Sequence, residues 1–242
     1  RTPMNGIMGM SQVLKNTELK PEQVNFVDAI FRSCESLLTI INDVLDISKI
    51  ETEQIKIYED DFNLNKTIKT IQSLFFHTSR NNGNSIIVST SLTNEHCQII
   101  TDEGKIKQIL TNLVGNAIKF TKNGKIEIGY RVEGAFLEFF VKDNGIGISS
   151  ENQKIIFDRF RQAEISSIRD FGGTGLGLAI SKAFVQILGG EIWVESELEK
   201  GATFYFTIPY KPTNPIHSIA HHNSEEILEG VKRLLKAFES IV

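Results

Sequence analysis

The sequence predicts an α+β protein, with an N-terminal helical hairpin that builds a dimeric four-helix bundle and then an α/β sandwich with a mixed, largely antiparallel sheet. Three observations lead there. Val27, Ile30, Cys34, Leu37, Ile41, Val44 and Ser48 recur at alternating spacings of three and four, which is a heptad seam. From about residue 57 the texture changes, and short strand-like runs alternate with helical stretches. Two of those runs are separated only by Glu133-Gly134-Ala135, too short a link for a parallel crossover, so they must pair antiparallel.

In chain order, Pro3 suits the first turn of a helix, where its missing N–H costs no hydrogen bond. A first helix over Met4–Leu14 carries Ile7 and Val13, and a second follows the turn near Glu18-Leu19-Lys20-Pro21. Phe31, Leu38 and Leu45, with Ile40 and Ile47, widen the second helix's stripe beyond what one short partner covers. Two copies forming a four-helix bundle would cover it; the alternative is a hairpin packed on the rest of its own chain. Strands are expected at Ser85–Ser91, Lys125–Val132, Phe136–Lys142, Glu191–Ser196 and Thr203–Pro209, and helices at Leu64–His77, Glu103–Phe120 and Gly175–Leu188. Three of the five prolines fall between 209 and 215 and mark a boundary. The expected domains are therefore 1–56, 57–210 and a 211–242 tail. In the tail, Ile227, Leu228, Val231, Leu234, Leu235, Phe238 and Ile241 form one helical stripe behind an Asn223/Glu226 capping pair. It reads either as a connector or as a docking helix.

The 242 residues carry a formal charge of -4, with 40% hydrophobic and 23% charged residues. That balance argues against a general nucleic-acid or anionic-membrane binder. Cys34 and Cys97 have no metal-ligand spacing and make no disulfide framework, so a reducing compartment is expected. No apolar run is long enough to span a bilayer. Arg1 and Thr2 read as the middle of an element already under way, so a longer protein is expected, with any membrane anchor upstream.

Three stretches carry chemistry. In QILTNLVGNAIKF, residues 108–120, Asn112, Asn116, Lys119 and Phe120 share one side of a helix while Ile109, Leu110, Leu113, Val114 and Ile118 face the sheet. Two amides and an ammonium at that spacing suit a metal–phosphate ligand, or simply a solvated helix face. In DNGIGI, residues 143–148, Gly145 and Gly147 let a ligand approach the main chain, and Asp143 could accept from an exocyclic amine such as adenine's; the same residues also make a good turn. In FGGTGLGLAI, residues 171–180, a glycine-rich start to a helix offers free N–H groups to phosphate. It fits neither common nucleotide class: Leu178 stands where a dinucleotide fingerprint needs glycine, and no P-loop occurs. The polar run Gln162–Gly173, flanked by Arg161 and Arg169, reads as a lid over a nucleotide, with the arginines meeting phosphate or solvent.

In this order and spacing, the segments N-L-V-x-N-A-x-K-F, D-N-G-x-G, I-F-x-x-F and G-G-T-G-L-G-L resemble the four signature boxes of the sensor histidine kinases, and R-T-P-M-N-G-I-M-G-M most resembles the hybrid type. The resemblance covers residues 1 to about 210. It implies a protein histidine kinase of two-component signalling that uses ATP and Mg²⁺, forms a homodimer, and passes phosphate to the aspartate of a response-regulator receiver domain. Residue by residue it implies that Asn116 ligates Mg²⁺, Lys119 contacts phosphate, and Asn112 supports the same cluster beside Phe120. Asp143 would read the adenine amine, with Gly145 and Gly147 shaping that wall and Thr203 a weaker neighbour. Phe157 and Phe160 would be the aromatic box, and Gly173, Thr174, Gly175, Leu176, Gly177 and Leu178 would wrap the phosphates.

In this family the phospho-accepting histidine lies three residues before the Arg of R-T-P, which puts it ahead of Arg1; these residues alone would then not autophosphorylate. Thr2 takes the position tied to dephosphorylating the regulator. His77, His96, His217, His221 and His222 match no acceptor pattern. Partner choice would reside on the first helix, Ile7–Leu14. The resemblance further implies the cytoplasmic portion of a membrane-anchored sensor, reached by membrane only through segments outside this chain. Related ATP-hydrolysing clamps carry a glutamate base where this chain has Asn112, so slow hydrolysis is expected. An ATP-sensing dimeric module that transfers no phosphate is the remaining alternative.

Overall fold

The computed structural model describes residues 2–94, 96–160 and 174–213. The expected Gln162–Gly173 lid with Arg161, Arg169 and Gly173, and the tail stripe, lie outside them. The described residues fall into two compact units, 2–56 with 158–160 and 174–180, and 57–157 with 181–213.

In chain order the elements are α1 (Thr2–Lys15), α2 (Pro21–Glu51), β1 (Asp60–Asn63), α3 (Leu64–Asn81), β2 (Ser85–Thr90), β3 (Gln98–Thr101) and α4 (Glu103–Phe120). After these come β4 (Lys125–Glu133), β5 (Phe136–Asp143), the single turn α5 (Ser150–Gln153), α6 (Gly177–Ile187), β6 (Ile192–Glu197) and β7 (Gly201–Pro209). Helices first and a mixed sheet after them is the architecture the sequence predicts.

The helical unit is an α1–α2 hairpin. Pro21 opens α2, and the Lys20 N–H donates to the Gln23 side chain at 2.9 Å. Lys15 reaches Asp28 across the turn at 2.7 Å. Of the heptad seam only Val27 and Cys34 are buried, while Ile30, Leu37 and Val44 stay between 44 and 51% exposed. On α1, Ile7, Met10 and Val13 are also open. The hairpin thus uses a small part of its apolar surface within one chain.

The second unit is built on a five-stranded sheet of order β2-β4-β5-β7-β6. β2 runs parallel to β4, and every other neighbouring pair is antiparallel. Alternation drives it: Ile126, Ile128 and Tyr130 of β4, Leu137, Phe139 and Val141 of β5, and Ala202, Phe204, Phe206 and Ile208 of β7 all point into the core. Directly opposed residues make an aromatic row across three strands. Tyr130 meets Phe139 at 5.7 Å, and Phe139 stacks on Phe206 at 4.5 Å. Helices α3 and α4 cover this face with Leu64, Ile68 and Ile71, and with Ile106, Ile109, Leu110, Leu113 and Val114. The sequence reading misses the antiparallel β1–β3 pair, whose four-residue strands are too short for a clear period.

Position of α4 is fixed at its start. The Asp102 carboxylate accepts from the Lys105 N–H as N-cap and from the Tyr58 N–H, both at 3.0 Å. Asp102→Ala removes the cap and strands a second donor, so unfolding stability should fall by about 2 kcal/mol. A urea denaturation midpoint unchanged from wild type would show that neither bond holds α4.

Candidate functional site

The polar edge of α4 is half-buried along its length. Asn112, Asn116, Lys119 and Phe120 sit on it, between the solvent and an inner face of Leu113, Val114, Ala117 and Ile118 that is at most 4% exposed. Asn112 donates through its side-chain amide to the Ser181 hydroxyl of α6 at 2.8 Å, which ties the two helices. The Lys119 ammonium stands 5.0 Å from the Phe120 ring centre. Burial draws the Lys119 pKa below the ordinary lysine value, so the cation is held where solvent stabilises it less than usual.

Asp143 stands at the end of β5 as the next core-facing residue after Leu137, Phe139 and Val141. Its side chain is 7% exposed. Oδ1 accepts from the Gly145 N–H at 2.9 Å and from the Ala202 N–H at 3.4 Å. Burial raises the Asp143 pKa, while these main-chain donors and the Thr121 hydroxyl pull it back down. The loop that follows is packed main chain against main chain. A Cβ on Gly145 would lie 2.3 Å from the Phe120 carbonyl, and one on Gly147, at φ +69°, would lie 2.0 Å from the Glu197 carbonyl. The Ile146 N–H donates to the same Phe120 carbonyl, so the end of α4 and the Asp143 wall are joined through backbone.

The register corrects one expected neighbour. Thr203 pairs with Lys142, and cross-strand partners share a face, so Thr203 lies on the opposite face from Asp143. Ala202 takes the position expected of Thr203, through its N–H alone. The alternation Ala202, Phe204, Phe206, Ile208 was the signal in the sequence, and it is visible once β7 starts at Gly201 rather than at 203. Thr121, the C-terminal cap of α4, is 1% exposed, its buried hydroxyl makes no hydrogen bond of full geometry although it stands close enough to the Asp143 carboxyl to lower its pKa, and sequence reasoning does not find it. Phe157 packs edge-on against Phe204 at 6.3 Å, with the Lys182 ammonium 6.0 Å from its ring.

The remaining expected residues belong to the helical unit. Thr2 opens α1 and is exposed. Phe160, 70% exposed at φ +59°, donates its N–H to the Gly175 carbonyl at 3.1 Å. Thr174 folds the glycine stretch on itself by accepting from the Leu176 N–H at 3.1 Å, and it donates to Asp43 of α2 at 2.8 Å. Burial and the neighbouring Asp46 raise the Asp43 pKa against that bond. Leu176 is buried, Gly177 begins α6, and Leu178 is half-buried. Arg159 pairs with Glu51.

A carboxyl group whose pKa is raised on folding holds its proton more tightly in the native state, so its contribution to stability is lost as pH rises through that raised value. Asp143→Asn removes this dependence. The variant's melting temperature should gain on wild type between about pH 4 and pH 7, by a few degrees. An equal difference at both pH values would show that burial of the charge costs the fold nothing.

Residues 101–212 match the family of histidine kinase-, DNA gyrase B-, and HSP90-like ATPases, and residues 1–53 match the His Kinase A phospho-acceptor domain. The Autoinducer 2 sensor kinase/phosphatase LuxQ of Vibrio vulnificus strain YJ016 is 40% identical over 230 residues, covering 89% of this chain and 27% of its own length. The chain thus spans about a quarter of that relative. Full-length ShkA in complex with AMPPNP superposes with a TM-score of 0.73 at 32% identity, over 88% of this chain and 44% of that one. Histidine kinase ThkA, in complex with the response regulator protein TrrA, gives 0.60 at 29% identity, over 86% of this chain and 57% of that one. Among the described residues no helix is long and apolar enough to cross a membrane. With helices followed by a mixed sheet, and both family matches in that order, the chain belongs to the histidine kinases of two-component signal transduction.

Proposed function

We propose that residues 57–210 bind Mg-ATP and donate its γ-phosphate to a histidine, and that the phosphate then passes to an aspartate of a response-regulator receiver domain. The observation that carries this is the buried Asp143 carboxyl at the end of β5, with Oδ1 engaged by two main-chain N–H groups. A carboxylate so fixed suits the exocyclic amine of adenine. The neighbouring donors fit the rest of the ligand. The Asn116 amide oxygen is a hard ligand for Mg²⁺, which would screen phosphate charge, and the partly desolvated Lys119 suits a phosphate oxygen. Asn112, bound to Ser181, holds that edge in place. In the family pattern Gly173–Leu178 would meet phosphates through backbone N–H groups, and Phe157 and Phe160 would form the aromatic box.

Phosphoryl transfer asks the protein mainly to position the donor and align an acceptor, and a neutral imidazole needs little activation. The acceptor in this reading is a histidine outside the chain's five, three residues ahead of Arg1 in the family pattern, and Thr2 serves the reverse reaction. With Asn112 in place of a glutamate base, hydrolysis by water stays slow. The names of the relatives support the donor and the partner: ShkA holds AMPPNP, and ThkA is bound to a response regulator.

The hairpin, residues 1–56, would dimerise through the seam residues left open within one chain. Light scattering at micromolar concentration should give twice the 27.2 kDa chain mass. A monomer would remove the bundle reading. For the site, Asn116→Asp and Asp143→Ala should each weaken Mg-ATP binding by at least about tenfold in calorimetric titration. Wild-type affinity in both variants would refute the assignment. Transfer itself is read with γ-labelled ATP on the native protein extended upstream of Arg1. Acid-labile, alkali-stable label is expected, and ATP bound without label would leave a nucleotide sensor.

A further inference from the structure

We propose that Thr121 is a positioning residue for Asp143, and so a determinant of which base the site accepts. This rests on the nucleotide reading above. Three observations lead to it. The register takes Thr203 to the other face of the sheet, so the strand beside Asp143 offers it the Ala202 N–H and no hydroxyl. A hydroxyl comes instead from the end of α4. Thr121 is 1% exposed and anchored by its carbonyl, which accepts from the Asn84 amide at 2.8 Å. Its Oγ1 is fully buried, makes no hydrogen bond of full geometry, lies where a Cβ on Gly145 would touch it at 2.8 Å, and is close enough to the Asp143 carboxyl to act on it.

A hydroxyl buried without a proper bond beside a buried carboxyl is a donor waiting for one acceptor. Oδ1 of Asp143 is already engaged by two N–H groups. A third donor arriving from the α4 side confines rotation of the carboxyl about its last bond. The oxygen left over then faces the ligand in one orientation. An exocyclic amine at that place is recognised, and a base lacking it is rejected, because selectivity of this kind needs a buried acceptor that cannot turn away. Thr121 touches no ligand in this scheme; it acts through Asp143.

The test compares Mg-ATP with the Mg salt of purine riboside triphosphate, which lacks only the amine. Wild type should prefer ATP by about tenfold or more, a single well-made hydrogen bond to a charged group. Thr121→Val keeps the shape and loses the hydroxyl. Its preference should fall to about twofold, and Thr121→Ser should restore it. A purely structural role would weaken both nucleotides equally and leave the ratio unchanged, which overturns the proposal. Thr121→Ala gives the same ratio test if the valine variant does not fold. If wild type binds neither nucleotide, the nucleotide reading itself fails. If it binds ATP and Thr121→Val keeps the full preference, only the role of Thr121 fails.

Discussion

The alternation of β5 is the constraint on which the rest depends. It is the middle strand of the sheet, and its inward residues Leu137, Phe139 and Val141 pack against α4 on one side and β4 and β7 on the flanks. A period of two gives the next inward place to Asp143. A carboxylate there is desolvated, and the surroundings are shaped around that fact. Gly201, at φ +95°, brings β7 so close that a Cβ would lie 2.1 Å from the Asp143 carbonyl, and this approach is what delivers the Ala202 N–H. Gly145 does the same from the loop side. The glycines, the strand order and the chemistry are one arrangement.

Helix α4 meets two opposing demands at once. Its inner face is sealed, which fixes the backbone within the core. Its outer edge keeps Asn112, Asn116 and Lys119 half-covered, where each polar group is less well solvated than on an open helix. Such an edge is held in place yet only partly covered, which suits a charged ligand because little rearrangement is needed when one arrives. Anchoring by Asp102 at one end and by the Phe120 carbonyl at the other keeps the edge in register with Asp143.

Much of this was legible in the residues, and the parts that were not have physical reasons. The helices other than the single-turn α5, and the five principal strands, follow from periodicity, because each is long enough to repeat its pattern. Asp60–Asn63 and Gln98–Thr101 were missed because four residues carry barely two repeats, and their pairing is long-range. The contribution of Ala202 was invisible because it comes from an N–H that every residue but proline has. The family pattern points to Thr203 by position, yet a motif position does not fix which face a side chain takes; register does. Thr121 carries no signal in the sequence beyond following a helix, and only its burial beside Asp143 distinguishes it. The heptad seam was plain from sequence, as was its excess width over what α1 covers.

The parallel pairing of β2 with β4 has a consequence for the order of assembly. The antiparallel pairs β4–β5 and β6–β7 can zip from a turn, whereas β2 and β4 are separated by β3 and the whole of α4. Closing that pair means carrying α4 into place in the same event, because the helix is part of the connection. Contacts of such long sequence separation form late, after the chain entropy of the intervening segment has been lost. The Asn112–Lys119 edge is therefore assembled when the sheet closes and no earlier. A nascent chain would display the hairpin helices, which are made first, well before it could hold a ligand at α4, and ligand capture there would report a closed sheet.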